Sequence, residues 1–464
     1  MAFILALLEG SAFFAAVAAM IFVWTRPIVT DWIDILAIFG QIVSISLCCI
    51  IAFYYNDLYD LRIVRSFGGF VSRLLQSFGV TLILLGIFYM LFPETKIAGG
   101  PFVSSLLIIF GFVLPLRATS YGLVRSGLLT RRVLVLGRSP LAHGIMAEIE
   151  AQPHLRYVVV GIVDDPAASP EPPANYPLLG PLDHLDKIIE EVRPDIILVA
   201  LGEQRGRLPL TPLLEARTRR IVVVEGNAVY ERLAGKLALE SLRPSNLIFS
   251  EDFCKSGLEL ALTRAASVLI AAVGLVATAP LFGLIALAIR LDSAGPILFV
   301  QDRVGFHGKH FKLLKFRTMH AAARTSEWVC DNTDRVTRLG KWLRKFRLDE
   351  LPQFLNIIRG DMNLVGPRPH PVTNFDLFSE KIPYYFLRLA VRPGVTGWAQ
   401  VRYGYANNLQ EEIEKMRYDL YYIKHLSIRF DLRILFDTVK IVLFGRGSRE
   451  ADAYPAGARM ESKS

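Results

Sequence analysis

The chain has 464 residues, 52% of them hydrophobic, with mean hydropathy +0.38 and a formal net charge of +9. That is long enough for two or three domains, too apolar for an ordinary soluble enzyme, and basic enough to meet anionic lipid or phosphorylated substrates. The membrane content argues against nucleic acid as a partner, and four cysteines without CxxC or metal spacing predict a reduced, cytoplasmic setting.

Residues 3–24 are apolar apart from Glu9 and lack the charged start and small-residue cleavage site of a signal peptide, so they predict a retained span. Further spans are predicted at 34–54, 76–93 and 101–117. Arg62, Arg65 and Arg73 lie between the second and third, and Arg117, Arg125, Arg131 and Arg132 follow the fourth. The other two loops are short and poor in basic residues. This asymmetry predicts a four-helix transmembrane bundle over residues 1–120 with both ends in the cytoplasm of a multi-pass inner-membrane protein.

From 131 to 245 the pattern changes to short apolar strands alternating with helical stretches. Val133–Gly137, Val158–Val163, Ile196–Ala200 and Ile221–Val224 read as buried parallel strands, and His184–Val192 as a helix. A Rossmann-like α/β domain is expected, interrupted by a Pro-rich loop from Pro166 to Pro177. Its first turn, Gly137-Arg138-Ser139-Pro140, departs from GxGxxG, so the ligand and role of this domain stay open.

A second apolar block lies between Arg264 and Arg290, broken at Pro280. Its length suffices to span, but basic residues flank both sides, so a single crossing would leave one cationic flank on the wrong side. A helix broken by Pro280 that enters and leaves on one face removes the conflict. The carbonyl freed by the proline needs a local partner, which draws attention to Thr278. Strand-like segments follow, carrying Arg303, Lys309, Lys312, Lys315 and Arg317, a phosphate-facing pattern.

Leu339, Trp342, Leu343 and Phe346 then recur at helical spacing beside Arg338, Lys341, Arg344 and Lys345, an amphipathic helix with a cationic face. It leads into Arg347-Leu348-Asp349-Glu350-Leu351-Pro352-Gln353. Pro352 suits a first helical turn and Gly360 a helix end, so Asp349 and Glu350 are expected at a helix start that keeps carboxylates ionised, as a nucleophile or metal ligand requires. Pro367-Arg368-Pro369 fixes a guanidinium suited to bidentate phosphate binding, and Arg392-Pro393-Gly394 makes another tight cationic loop. Asp361 is expected either to orient the site or to cap, and Trp398 to pack or to stack. Ile413, Met416, Leu420 and Ile423 line one helix face, Asp431–Phe444 reads as an interfacial helix, and residues 447–464 as a disordered tail.

Four strings, in order over about 140 residues, resemble the catalytic core of the bacterial polyprenyl-phosphate sugar-1-phosphate transferases, the monotopic phosphoglycosyl transferases. They are Lys315-Phe316-Arg317-Thr318-Met319, Leu348–Gln353, Gly360–Pro369 and Arg392–Val401. The resemblance implies a re-entrant helix plus an α/β catalytic domain over 260–446. It implies transfer of a sugar 1-phosphate, glucose or galactose, from a UDP-sugar to undecaprenyl phosphate with release of UMP. It assigns the nucleophile to Asp349, with Glu350 beside it; which of the two holds a metal stays open. Since an anion approaching a pyrophosphate is repelled, Mg²⁺ at Asp349 or Glu350 is expected, with Lys315, Arg317, Arg368, Arg303 and Arg392 on the phosphates. The homo-oligomeric state is left open. Two rivals are weighed. A membrane-anchored nucleotide-sugar dehydratase or epimerase needs a glycine-rich turn and a Tyr-x-x-x-Lys pair, and no tyrosine here has a lysine four residues on. A non-catalytic scaffold leaves the Asp-Glu pair unexplained.

Overall fold

A computed structural model of the chain describes residues 2–25, 32–56, 58, 67–97, 99–125, 130–152, 156–165, 176–202, 208–242, 244, 247, 253, 255–320, 335–404, 406 and 408–443. It divides into two compact units, residues 1–224 and 225–464.

The first unit begins with four apolar helices, α1 (Ala2–Thr25), α2 (Trp32–Tyr55), α3 (Phe67–Leu91) and α4 (Gly99–Arg125). Segments of α2, α3 and α4 are long and apolar enough to cross a membrane. Each of α1 and α3 packs on both α2 and α4, closing a ring around Phe13, Ile45, Phe53, Phe70, Leu85 and Ile109. Phe53 meets Phe13 and Phe110 edge to face at 5.5 and 5.4 Å, the arrangement ring quadrupoles favour. The third helix starts at Phe67, earlier than the hydropathy of 76–93 predicts. Packing explains this, because Phe70 and Leu74 are already core residues and Arg73 donates to the Asn56 carbonyl at 3.0 Å, just past the end of α2. Glu9 is fully buried within the bundle. Arg62, Arg65, the stretch 166–175 and the tail 447–464 lie outside the described residues.

The α/β part of this unit holds β1 (Arg131–Leu136), α5 (Pro140–Ala151), β2 (Tyr157–Val163), β3 (Leu178–Gly180), α6 (Leu185–Val192), β4 (Ile196–Val199), α7 (Leu210–Thr218) and β5 (Val222–Glu225). The strand order is β3-β2-β1-β4-β5, and β1 pairs parallel with β2 and β4. Val133–Leu136 and Ile196–Val199 are buried without alternation, as expected of strands covered on both faces. The sequence missed β3, which is only three residues long.

The expected extent of the Rossmann-like domain, 131–245, is cut short. Helix α8 (Gly226–Ala234) and Leu237–Leu242 belong to the second unit. Leu237 and Leu239 lie in its core with Trp398, Met416 and Tyr422, and Leu237 N–H donates to the Arg417 carbonyl. The sequence gives no sign of this, because the apolar pattern runs on past β5.

The rest of the second unit comprises α9 (Gly257–Asp292), the hairpin β6 (Leu298–Val304) and β7 (His310–Phe316), α10 (Arg338–Lys345), α11 (Gln353–Arg359), β8 (Asn363–Val365), α12 (Val372–Lys381), β9 (Gly394–Thr396), α13 (Trp398–Arg402), α14 (Leu409–Lys424) and α15 (Ile428–Leu443). Helix α9 is 36 residues long and runs through Pro280. Thr278 Oγ1 donates to the Gly274 carbonyl at 2.6 Å, so it does not serve Val276, whose carbonyl the proline leaves without its usual N–H partner. Of the two expected roles for Trp398 it takes packing: it is a core residue, and its Nε1 donates to the Gly235 carbonyl at 2.7 Å. Ile428, Leu432, Phe436 and Val439 line an exposed apolar face of α15, so the helix is amphipathic as expected, and it starts at 428 instead of 431.

Candidate active site

The acid pair is built by a turn that the sequence only partly anticipates. Arg347 takes a left-handed conformation (φ +53°) and starts a 3₁₀ turn, Leu348–Glu350, ahead of α11. Asp349 and Glu350 therefore precede the helix and are both buried, 8% and 6% exposed. Helix α11 is anchored by Asn356, which accepts from Leu314 N–H and donates to the Lys312 carbonyl and to Asp361 at 3.0 Å. Of the two expected roles for Asp361, this contact favours structural support.

The carboxylates have different surroundings. Glu350 Oε1 accepts from both Nη atoms of Arg368 at 3.0 Å and from Lys315 Nζ at 3.3 Å, and Arg347 stands 3.7 Å from Oε2. Burial works against ionising Glu350, but Arg368, Lys315 and Arg347 outweigh it and hold its carboxyl well below the usual range. Asp349 makes no hydrogen bond or ion pair among the described residues. Burial pushes its carboxyl up, the Glu350 charge adds to this, and Lys315, Arg344 and Arg368 oppose it. The expectation that this setting keeps carboxylates ionised holds for Glu350, which its cations clamp as a carboxylate, whereas burial works against it at Asp349. Lys315 is brought down to about 8 by burial and by Arg368, against the pull of Glu350 and Asp349.

Arg368 is held by backbone and by a network that the sequence did not reveal. Strands β8 and β9 pair in parallel, bringing the Gly360–Pro369 and Arg392–Val401 strings together. The approach is so close that a Cβ on Gly394 would lie 2.1 Å from Gly366 N. Beneath the loop, Arg388 Nη2 donates to the Arg368 carbonyl and sits 2.9 Å from Asp419, while Nη1 donates to Tyr385 Oη and His370 Nδ1. Burial together with Arg388 and Lys415 keeps His370 neutral, so it accepts from Arg388. Glu412 and Lys415 complete the cluster at 3.0 Å. Arg388 lies outside the quoted strings, and only its partners in the fold give it a role. Gln353 was quoted but unassigned; its buried Nε2 has no hydrogen-bond partner among the described residues, which marks a donor awaiting one beside the acid pair.

Of the predicted phosphate-binding residues, Lys315 and Arg368 meet Glu350 directly. Arg303 is close enough to feel both Arg368 and Glu350, and it bonds the Pro369 carbonyl at 2.6 Å. Two do not join them. Arg317 grips the carbonyls of Ser293 and Ala294 at 2.6 and 3.0 Å, and a Cβ on Gly295 would lie 2.1 Å from its Nη1. It fastens the end of α9 to β7. Arg392 bonds the Gly360 carbonyl and stacks 4.9 Å over Phe306. Both arginines satisfy orphan carbonyls, a use that a sequence string cannot separate from phosphate binding. Pro280 lies inside α9, away from any described contact with the acids.

Among the described residues no group of three or more His, Cys, Asp or Glu could hold a metal by itself. The pair still suits a hard cation such as Mg²⁺, which takes one or two carboxylates and completes its shell with water and substrate phosphate. Asp349 is open, and Glu350 Oε2 is less engaged than Oε1. The α/β domain is different. At the carboxyl end of β1, Arg138 N–H donates to Asp164 Oδ2 at 3.0 Å, and its Nη2 donates to the Asp165 carbonyl at 2.8 Å. Asp164 directly follows β2, where a dinucleotide fold presents an acid to a ribose, and here an internal arginine contacts it.

Residues 258–445 match the family model described as bacterial sugar transferase, and residues 55–207 match one described as a CoA-binding domain. The chain is 39% identical over 223 residues to a UDP-N-acetylgalactosamine-undecaprenyl-phosphate N-acetylgalactosaminephosphotransferase of Aeromonas hydrophila, covering 48% of this chain and 52% of that protein. It is 33% identical to a UDP-glucose:undecaprenyl-phosphate glucose-1-phosphate transferase of Escherichia coli, covering 67% of each. A protein of the same name from Klebsiella pneumoniae is 30% identical over 79% of this chain and 80% of its own length. The match thus spans about half of the Aeromonas relative and most of the Klebsiella one.

Proposed function

The chain belongs to the bacterial polyprenyl-phosphate sugar transferase family, and from that premise we propose that it moves a hexose 1-phosphate from a UDP-sugar to undecaprenyl phosphate on the cytoplasmic face of the membrane. The observation that carries the mechanism is the division of labour in the acid pair: Glu350 is clamped by cations, Asp349 is open.

An Asp349 carboxylate oxygen attacks the β-phosphorus. The bond from that phosphorus to the bridging oxygen breaks, UMP leaves with the electron pair, and the sugar phosphate remains esterified to Asp349. An oxygen of undecaprenyl phosphate then attacks the same phosphorus, forming the lipid diphosphate sugar and freeing Asp349. Each approach brings like charges together, at a cost of about 4 kcal/mol per pair at 4 Å and an effective dielectric of 20. Lys315 and Arg368, both held by Glu350 next to Asp349, would offset that charge, and Glu350 would keep them charged and aimed. A Mg²⁺ held by Asp349 and Glu350 Oε2 would supply further neutralisation of the pyrophosphate.

The re-entrant reading of α9 is supported by its packing. Arg264, ahead of Pro280, bonds the Met362 and Ile357 carbonyls, while Ile285 and Ile289, beyond it, pack on Phe316 and Leu343. Eighteen residues of helix separate Ser267 from Ile285, about 27 Å along the axis, yet both are buried in this one unit. Packing of both ends on the same unit is what supports entry and exit on one face.

The test is nucleotide release by the membrane-embedded protein from UDP-glucose, UDP-galactose and UDP-N-acetylgalactosamine. UMP should be released in the presence of undecaprenyl phosphate and Mg²⁺, and chelation of the metal with EDTA should abolish it. Release of UDP, or none with any sugar, would overturn the reading.

A further inference from the structure

The hairpin β6–β7 carries an apolar lip that the chemistry above does not use. Ile297, Leu298, Phe299 and Val300 are consecutive and 36–49% exposed, although both faces of a strand are represented among them. The antiparallel register is unbroken and sets Phe299 opposite Lys315, with Gln301 opposite Leu313 and Arg303 opposite Phe311. Directly paired residues share a face, with Cβ atoms about 5 Å apart. Phe299, Gln301 and Arg303 therefore stand in one row, as the 2.6 Å bond from Arg303 Nη2 to Gln301 Oε1 confirms. Along that row the surface changes from buried guanidinium to exposed phenyl. Lys315, which meets Glu350, stands across from the phenyl end.

The lip is also fixed to the membrane helix. Arg317 N–H donates to the Ile297 carbonyl, and its guanidinium holds the carbonyls of Ser293 and Ala294 at the end of α9. On that helix Leu284, Leu287 and Leu291 are 63–79% exposed. An exposed phenyl paired with a site cation, a few residues after a helix apolar enough to enter a bilayer, suits a ligand with an anionic head and a long apolar tail.

Resting on the proposed transferase reaction, we infer that Phe299 and its neighbours on the lip are the subsite for the isoprenoid chain of the acceptor, with the acceptor's phosphate at Lys315. The UDP-sugar, which has no apolar tail, does not use the lip. Phe299 is thus a specificity residue for the second half-reaction.

The experiment uses the full chain in lipid nanodiscs. Two rates are read for Phe299→Ser and Phe299→Leu: UMP release in a single turnover without acceptor, and transfer against the concentration of undecaprenyl phosphate. Losing the phenyl contact should raise the KM for undecaprenyl phosphate about tenfold in Phe299→Ser, with the acceptor-free release within about twofold of the unchanged protein. Phe299→Leu, which keeps an apolar side chain, should recover most of the loss. With a short, water-soluble prenyl phosphate the serine variant and the unchanged protein should converge. An unchanged KM for undecaprenyl phosphate, or an equal loss in both half-reactions, would overturn the subsite. If the unchanged protein releases no UMP either with or without undecaprenyl phosphate, it is the transferase reading that fails.

Discussion

Asp349→Asn is expected to lower UMP release by about 10⁴-fold or more, the scale on which removal of an enzyme nucleophile acts. A carboxamide has nearly the same shape but cannot supply the attacking oxygen, so no phosphosugar ester forms. The fold should not suffer. Asp349 is buried without a hydrogen-bond or ion-pair partner among the described residues, so ionising it in the native state is costly and a neutral amide removes that cost. The melting temperature should therefore hold or rise while activity vanishes. Turnover near that of the unchanged protein would take Asp349 out of the mechanism. A collapse in expression would show that the carboxylate is structural.

Arg368→Lys is expected to lower kcat/KM about 10- to 100-fold, the worth of one charge-assisted hydrogen bond. The guanidinium gives both Nη atoms to Glu350 Oε1 and is aimed by the flanking prolines and by Arg388 on its carbonyl. An ammonium ion keeps the charge but not the fork. Arg368→Ala removes the charge as well, leaving a buried Glu350 with Lys315 as its near partner, and should cost about 3 kcal/mol of stability. Kinetics and thermal unfolding on the same samples separate the two effects. A lysine variant with an unchanged rate would show that the fork does not orient the phosphate.

The N-terminal helices and the parallel strands were legible because each follows from a local apolar pattern that tertiary context reinforces. The site was legible where a residue type is rare in its setting: an Asp-Glu pair after a cationic helix, an arginine between two prolines. Arg317 and Arg392 show the limit. In the chain they resemble Lys315 and Arg368, but the carbonyls they satisfy come from 24 and 32 residues away, and only the folded backbone reveals that competing use. Arg388 and the Glu412–Asp419 cluster were missed for the converse reason. Their function passes through the carbonyl of Arg368, which has no signature in side-chain spacing. Residues 225–242 were misplaced because an amphipathic pattern specifies a buried face and not the core that buries it.

The most direct measurement is one turnover without acceptor, using a UDP-sugar labelled in its β-phosphate, on the unchanged protein in nanodiscs with Mg²⁺. Up to one equivalent of UMP is expected, with the label retained on the peptide containing Asp349 and released as lipid diphosphate sugar when undecaprenyl phosphate is added. UMP that forms only with acceptor present, or label that never joins the protein, would contradict a covalent step at Asp349.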